Sequence, residues 1–242
     1  MVIKAFVFDA YGTLYDVQSL SQITKAEFPQ HGDLITQVWR LKQLEYTWLR
    51  TLMQSYKSFW EISEESLIFT LNAIGLKTDR AQIDRIMDKY LHLDPYPDTI
   101  KSLAALKGVP LAILSNGNQK ILDALVENTG LDKHLDAVIS IDKVNKFKPH
   151  PEAYSLVEAT LKVKPEEVMF VSSNAFDATA AKNFGFQVSW IERVTPQALA
   201  AEIETNPVTG PDTMFKILRM QMENFDMLPD NKLKSLLDLK GL

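Results

Sequence analysis

Four short polar clusters hold the side chains from which a covalent hydrolase can be built. Asp9-Ala10-Tyr11-Gly12-Thr13 sets a carboxylate ahead of a glycine suited to a tight turn and a threonine able to hydrogen-bond it, the parts of a fixed nucleophile. Ser115-Asn116-Gly117-Asn118 offers a hydroxyl and amides, and Lys148-Pro149 a cation, with Tyr154 one turn into the following segment. Ser172-Ser173-Asn174-Ala175-Phe176-Asp177 supplies a second acid, suited to general base chemistry. Read singly, each has a plainer meaning. Asp9 is also a turn former, Ser115-Asn116 an N-cap, Lys148 a solvated turn residue and Asp177 an acid favoured by a helix dipole.

The elements between the clusters decide whether they meet. Residues 2–8 are rich in Val, Ile and Phe and end at Asp9, as a buried parallel strand does. Residues 19–90 show helical spacing with breaks near Pro29, Gly32 and Gly75, and no strand pattern interrupts them. From Pro95 and Pro97 onward the pattern alternates. Helices are predicted at 98–106, 119–128, Pro151–Leu161 and Ala175–Phe184, and strands at 109–114, Ala137–Ser140, 168–171 and Gln187–Ile191. This order predicts an α/β fold with a doubly wound parallel sheet, whose ligands bind beyond the carboxyl ends of its strands. All four clusters fall at such ends and converge on one crevice.

The expected organisation is therefore a core from residues 1–15 and 94–195, with residues 16–93 inserted as a helical cap over the crevice. Residues 196–242 are expected to form a helical extension packed on the core or at a subunit contact. Met214, Ile217, Leu218, Gln221, Met222 and Phe225 mark one amphipathic helix, and Leu233, Leu236, Leu237 and Leu239 a shorter one.

Composition narrows the function classes. With 46% hydrophobic and 24% charged residues, the chain is an ordinary globular domain rather than a disordered or fibrous one. A net charge of -5 offers no broad basic field for nucleic acid, so an anionic ligand must meet locally placed cations. The lack of cysteine removes disulfides, a thiolate nucleophile and a Cys-based zinc site. The apolar N-terminal run is too short to span a membrane and lacks a signal peptide layout, which predicts a soluble cytoplasmic protein.

In this order the four clusters resemble the signature of the haloacid dehalogenase superfamily over residues 2–195, and most closely that of its L-2-haloacid dehalogenase branch. Phosphatases of that superfamily carry a second Asp two residues after the nucleophile, where this chain has Tyr11, and an acid where it has Ser173. Both departures remove carboxylates that a magnesium site would use. The missing second Asp would also have protonated a leaving alkoxide, whereas halide leaves without a proton. Residues 38–50, which include Arg40 and Leu44, resemble the cap helix of the dehalogenases.

The resemblance implies a Rossmann-like core with a helical cap, and a metal-independent, cofactor-free hydrolysis of short 2-haloacids. Asp9 would displace halide and form an ester, with Thr13 and Lys148 keeping it ionised. Arg40 and Asn116 would receive the halide. Ser115, Lys148 and the backbone amides at Ala10 and Tyr11 would hold the substrate carboxylate. Asp177, oriented near Ser172 and Asn174, would activate water, and Tyr154 would support Lys148. Tyr11, Leu44, Phe59 and Phe176 would wall the carbon-halogen bond. Phe176 departs from the Trp often found there in the branch, and the longer tail is read as a homodimer contact. Two rivals stand beside this reading: a phosphatase of the same fold with degenerate metal ligands, and a non-catalytic binding protein.

Overall fold

The computed structural model describes residues 2–106, 108–206, 208–223 and 225–241. Its first strand, β1 (Ala5–Phe8), is wholly buried. The chain then leaves the core through β2 (Tyr15–Asp16) and forms α1 (Ser21–Glu27), α2 (Gly32–Leu52), α3 (Phe59–Ala73) and α4 (Arg80–Asp88). It returns through β3 (Asp94–Pro95), which pairs antiparallel with β2. Both crossings between core and helical insertion thus share one narrow ribbon. The alternation that follows is α5 (Thr99–Ala105), β4 (Leu111–Ser115), α6 (Gln119–Thr129), β5 (Ala137–Ser140), α7 (Pro151–Leu161), β6 (Val168–Ser172), α8 (Ala175–Phe184) and β7 (Gln187–Ile191). The tail adds α9 (Pro196–Thr205), α10 (Pro211–Arg219) and β8 (Asn231–Leu233).

The main sheet has the order β5-β4-β1-β6-β7-β8, and every pairing in it is parallel. β4 and β6 are buried along their whole length, as strands covered by helices on both faces must be. β1 lies between β4 and β6, so the chain winds away from it in both directions. That reversal opens a crevice beyond its carboxyl end. Asp9 is the next residue.

The helical insertion is fixed by local signals as well as by packing. Ser58 and Glu61 form a capping box at the start of α3, and Asp79 and Gln82 one at the start of α4. α1 and α2 approach closely at Gly32, where a Cβ would lie 2.5 Å from the Lys25 backbone nitrogen. Thr24 and Thr36 hydrogen-bond to each other at 2.6 Å across the same contact.

The tail corrects the expectation of a purely helical extension. Leu233, read as part of a short helix, ends β8, which extends the sheet in register from Ser189↔Asn231 to Ile191↔Leu233. A three-residue edge strand containing Asn231 and Lys232 carries no apolar run to signal it. α10 ends at Arg219, and Phe225 lies beyond it and is exposed. α10 packs on α2 of the insertion, while the 3-10 turn Leu236–Gly241 packs on α5. The tail therefore touches both halves of the molecule.

Candidate active site

Asp9 extends directly from β1, and Gly12, at a φ of +88°, lets the chain double back behind it. The Asp9 carboxylate is 4% exposed, and each of its oxygens is engaged. Oδ1 accepts from Lys148 Nζ at 2.8 Å, while Oδ2 accepts from Thr13 Oγ1 at 3.0 Å and Asn174 Nδ2 at 2.7 Å. Lys148 also donates to Asp177 Oδ2 at 2.6 Å and to the Leu114 carbonyl at 3.1 Å. One buried ammonium thus joins two buried carboxylates.

Electrostatics follow from that arrangement. Burial works against the Lys148 charge, but Asp177 and Asp9 outweigh it and hold its pKa above the usual lysine value. Burial pushes Asp177 up to about 6, with Lys148 pulling it down and the like charge of Asp9 pushing it further up. Tyr154 donates to Asp177 Oδ1 at 2.7 Å, and Ser172 Oγ to Asp177 Oδ2 at 3.3 Å. Tyr154 was expected to support Lys148; it holds the acid instead, because α7 runs beside α8. Asn174 was expected beside Asp177, yet its side chain binds Asp9 and the Tyr11 carbonyl.

Arg40 reaches the same place from α2. It is 4% exposed, its guanidinium donates to the Gln43 amide oxygen, and among the described residues no carboxylate pairs with it. Gln43 is itself held, accepting from Tyr90 OH at 3.1 Å and donating to Ser63 Oγ. The sequence reading did not single out Gln43, Ser63 or Tyr90. The one sign of them was their place on the buried sides of α2, α3 and the returning segment.

Asp9, Tyr11, Arg40, Leu44, Phe59, Asn116, Lys148, Asn174 and Phe176 line one small pocket. Tyr11 stacks on Phe59 with ring centroids 5.2 Å apart, which makes one wall flat and apolar. Asn116 Oδ1 accepts from the Lys148 backbone N–H at 2.8 Å, which fixes the amide at the pocket wall. Ser115 and Ala10 lie outside the lining. Ser115 Oγ accepts from the Gly117 N–H at 3.1 Å, and the Ala10 carbonyl accepts from the N–H groups of Leu14 and Tyr15. Asp177 is also outside, with Lys148 between it and Asp9. Ser173 donates to the Gly12 carbonyl at 2.6 Å, and its backbone N–H binds Thr13 Oγ1 at 2.9 Å, so it braces the turn that carries Asp9.

The family model for haloacid dehalogenase-like hydrolases matches residues 3–185. An (S)-2-haloacid dehalogenase of Xanthobacter autotrophicus is 50% identical over 241 residues, covering 100% of this chain and 95% of that protein. The chain belongs to the haloacid dehalogenase-like hydrolases, in the L-2-haloacid dehalogenase branch. Haloacetate dehalogenase H-2 of Moraxella sp. (strain B) is 42% identical to this hydrolase over 193 residues, 79% of this chain and 86% of its own. The solved L-2-haloacid dehalogenase of Xanthobacter autotrophicus matches the hydrolase with a TM-score of 0.95 at 50% identity, covering 100% of this chain and 98% of that one. A second structure of that enzyme, with chloropropionic acid covalently bound, matches it at 49% identity and the same TM-score, covering 100% of this chain and 98% of that one.

Proposed function

We propose that this hydrolase converts short (S)-2-haloacids to (R)-2-hydroxyacids and halide through an ester on Asp9. The observation that carries the reading is the pairing of two unlike buried groups across one small pocket. On the core side a carboxylate is held by Lys148, Thr13 and Asn174, and on the cap side a guanidinium lacks a carboxylate partner. A nucleophile thus faces a place where an anion can form. The relative solved with chloropropionic acid covalently bound supports a covalent intermediate.

In the first step Asp9 attacks the carbon bearing the halogen from the side opposite the halide, inverting that carbon. The bonding pair leaves with the halide towards Arg40 and the Asn116 amide, whose fixed positive ends stabilise the charge as it develops. Lys148 and the Tyr11 backbone N–H hold the substrate carboxylate, and Tyr11, Leu44, Phe59 and Phe176 limit the chain to a short one. Esterification removes the Asp9 charge. Lys148 then polarises the ester carbonyl, and Asp177 takes a proton from the water that attacks it. The ester C–O bond then breaks: the water oxygen stays in Asp9, the former Asp9 oxygen leaves with the hydroxyacid and takes up the second proton of the water, and Asp177 gives the first to solvent.

The donor set fits this chemistry without a divalent ion. Tyr11 and Ser173 stand where phosphatases of the superfamily place carboxylates, so the pocket offers a magnesium ion fewer oxygen ligands. We also assign a homodimer, through the exposed apolar residues of α2 and α10.

The test is halide release from (S)- and (R)-2-chloropropionate, with and without a chelator, beside a generic phosphate ester. Chelator-resistant release from the S form alone is expected, with Asp177→Asn stalling as an adduct whose mass maps to the Asp9 peptide. Magnesium-dependent phosphate release without halide release would overturn the reading.

A further inference from the structure

On α2 the pocket residues Arg40 and Leu44 are followed by Trp48 at the same four-residue step, so the three share one face of the helix. Trp48 lies one turn beyond the lining and meets Phe176 edge to face, with ring centroids 5.3 Å apart. Its other neighbour is the guanidinium of Arg219, 5.2 Å from the ring centroid, at the last turn of α10. Trp48 also borders an open, mainly apolar groove of about 470 Å³, shared with Thr51, Leu52, Phe147, Pro149 and His150. The indole thus separates the catalytic pocket from a groove that opens to solvent.

Two donors at this place have nothing to donate to. Trp48 Nε1 and Arg219 Nε are buried, and neither has a hydrogen-bond partner among the described residues. No ion pair holds Arg219 among those residues either. Burial lowers its pKa; Glu223 acts in the opposite sense, and the like charge of Arg40 adds to the lowering. A half-buried cation over the face of an indole whose own N–H is unsatisfied leaves two donors that are costly unless an acceptor arrives. Apolar ligands do not relieve that cost, whereas a small anion satisfies both donors and the charge together.

We propose that Arg219 and Trp48 form a second anion site, outside the catalytic pocket, that holds a halide or a short carboxylate as it passes between pocket and groove. The choice of these two anions rests on the dehalogenation reading; the existence of the site does not. Arg219 outside and Arg40 inside then form two steps of one path along α2. The repulsion between them favours an anion held at either step. Phe176, in edge contact with Trp48, is the side chain that must shift for passage.

Bromide quenches indole fluorescence, so the site can be read without turnover. Wild-type protein is titrated with bromide at constant ionic strength, and again in the presence of propionate. A saturable quench is expected, lost in Trp48→Phe and retained in Arg40→Met. In Arg219→Gln its midpoint should rise about tenfold, the effect of losing one charge-assisted contact, with an unchanged melting curve. Arg219→Lys should fall between the two. Propionate that raises the bromide midpoint identifies a site shared by carboxylates, and propionate without effect identifies one selective for halide. A linear quench, equal midpoints in wild type and Arg219→Gln, or loss of the signal in Arg40→Met would overturn the proposal. Halide release assayed on the same samples keeps the two readings apart, since a saturable, Arg219-dependent quench in a protein that releases no halide would leave this site standing and remove the catalytic one.

Discussion

Asp9, Lys148 and Asp177 bring two negative charges and one positive charge into a buried space, and the balance changes during turnover. In the free enzyme the like charge of Asp9 helps to raise Asp177, which ionises at about 6. Once Asp9 is an ester that push is gone, so Asp177 in the intermediate must ionise below its free-enzyme value. A general base works only when deprotonated, so kcat should fall as pH drops, with the acid limb below pH 6 wherever ester hydrolysis limits the rate. Tyr154 lowers Asp177 by donating to it. Tyr154→Phe should therefore move that limb upward, by roughly one unit for one lost hydrogen bond. A pH-rate profile with the limb unmoved would show that Asp177 is not the base. Arg40 poses the opposite problem, since its charge is useful only while unneutralised. Gln43 orients it through a neutral oxygen, so Gln43→Glu should keep the fold but pair the cation and reduce kcat by about a hundredfold. Gln43→Leu should reduce both kcat and melting temperature by leaving Arg40 and Tyr90 without their acceptor. Steady-state kinetics beside thermal melts separate the two outcomes. Of these residues, Asp9 and Asp177 were legible because each belongs to a polar cluster that follows an apolar run in a parallel-sheet pattern, whereas Lys148, eight residues past β5, has no such run before it. Arg40 was legible only by resemblance, since an arginine on a helix is ordinarily solvated. The partners of Tyr154 and Asn174 were not legible, because a hydrogen bond between elements depends on how those elements pack.

Among the elements, the strands with both faces covered were readable because burial demands unbroken apolar runs, as in Leu111–Ser115 and Val168–Ser172. β8 was not, because an edge strand is specified by its neighbour. The anchor of that region is Asp98, just ahead of α5. It accepts from Arg193 Nη1 at 2.9 Å, from Ser235 Oγ at 2.9 Å and from the Leu236 N–H at 2.8 Å. Arg193, two residues past β7, also donates to the Thr13 carbonyl at 2.6 Å and lies 3.9 Å from the centroid of the Tyr96 ring. One side chain therefore ties the nucleophile's turn, the returning crossover and the tail. Arg193→Met should cost about 3 kcal/mol, since it leaves Asp98 in a largely buried position without its cation. The check is urea unfolding of wild type and variant, with Asp98→Asn and the double variant closing a thermodynamic cycle. A coupling near zero would mean that the two residues act independently.

At the scale of the molecule, the tail sets the question of assembly. α10 buries Thr213 and Phe215 while its neighbours Met214, Ile217 and Leu218 stay exposed at three- and four-residue spacing. Leu49 and Met53, at the end of α2, are exposed as well, and α2 is the helix on which α10 packs. Apolar side chains gathered on two packed helices make a surface that water disfavours, and the common remedy is a second copy of the chain across a two-fold axis. Light scattering after gel filtration should then report about twice the 27.4 kDa of one chain. Ile217→Lys with Met53→Glu should shift it to one. These positions point away from the pocket lining, so halide release per chain should survive the change unless assembly is what holds α10 on α2. In that case activity and dimer would be lost together, with bromide quenching of Trp48 the first signal to go, because Arg219 rides on the same helix. A monomeric wild type at micromolar concentration would remove the dimer and leave the apolar stripe without an occupant.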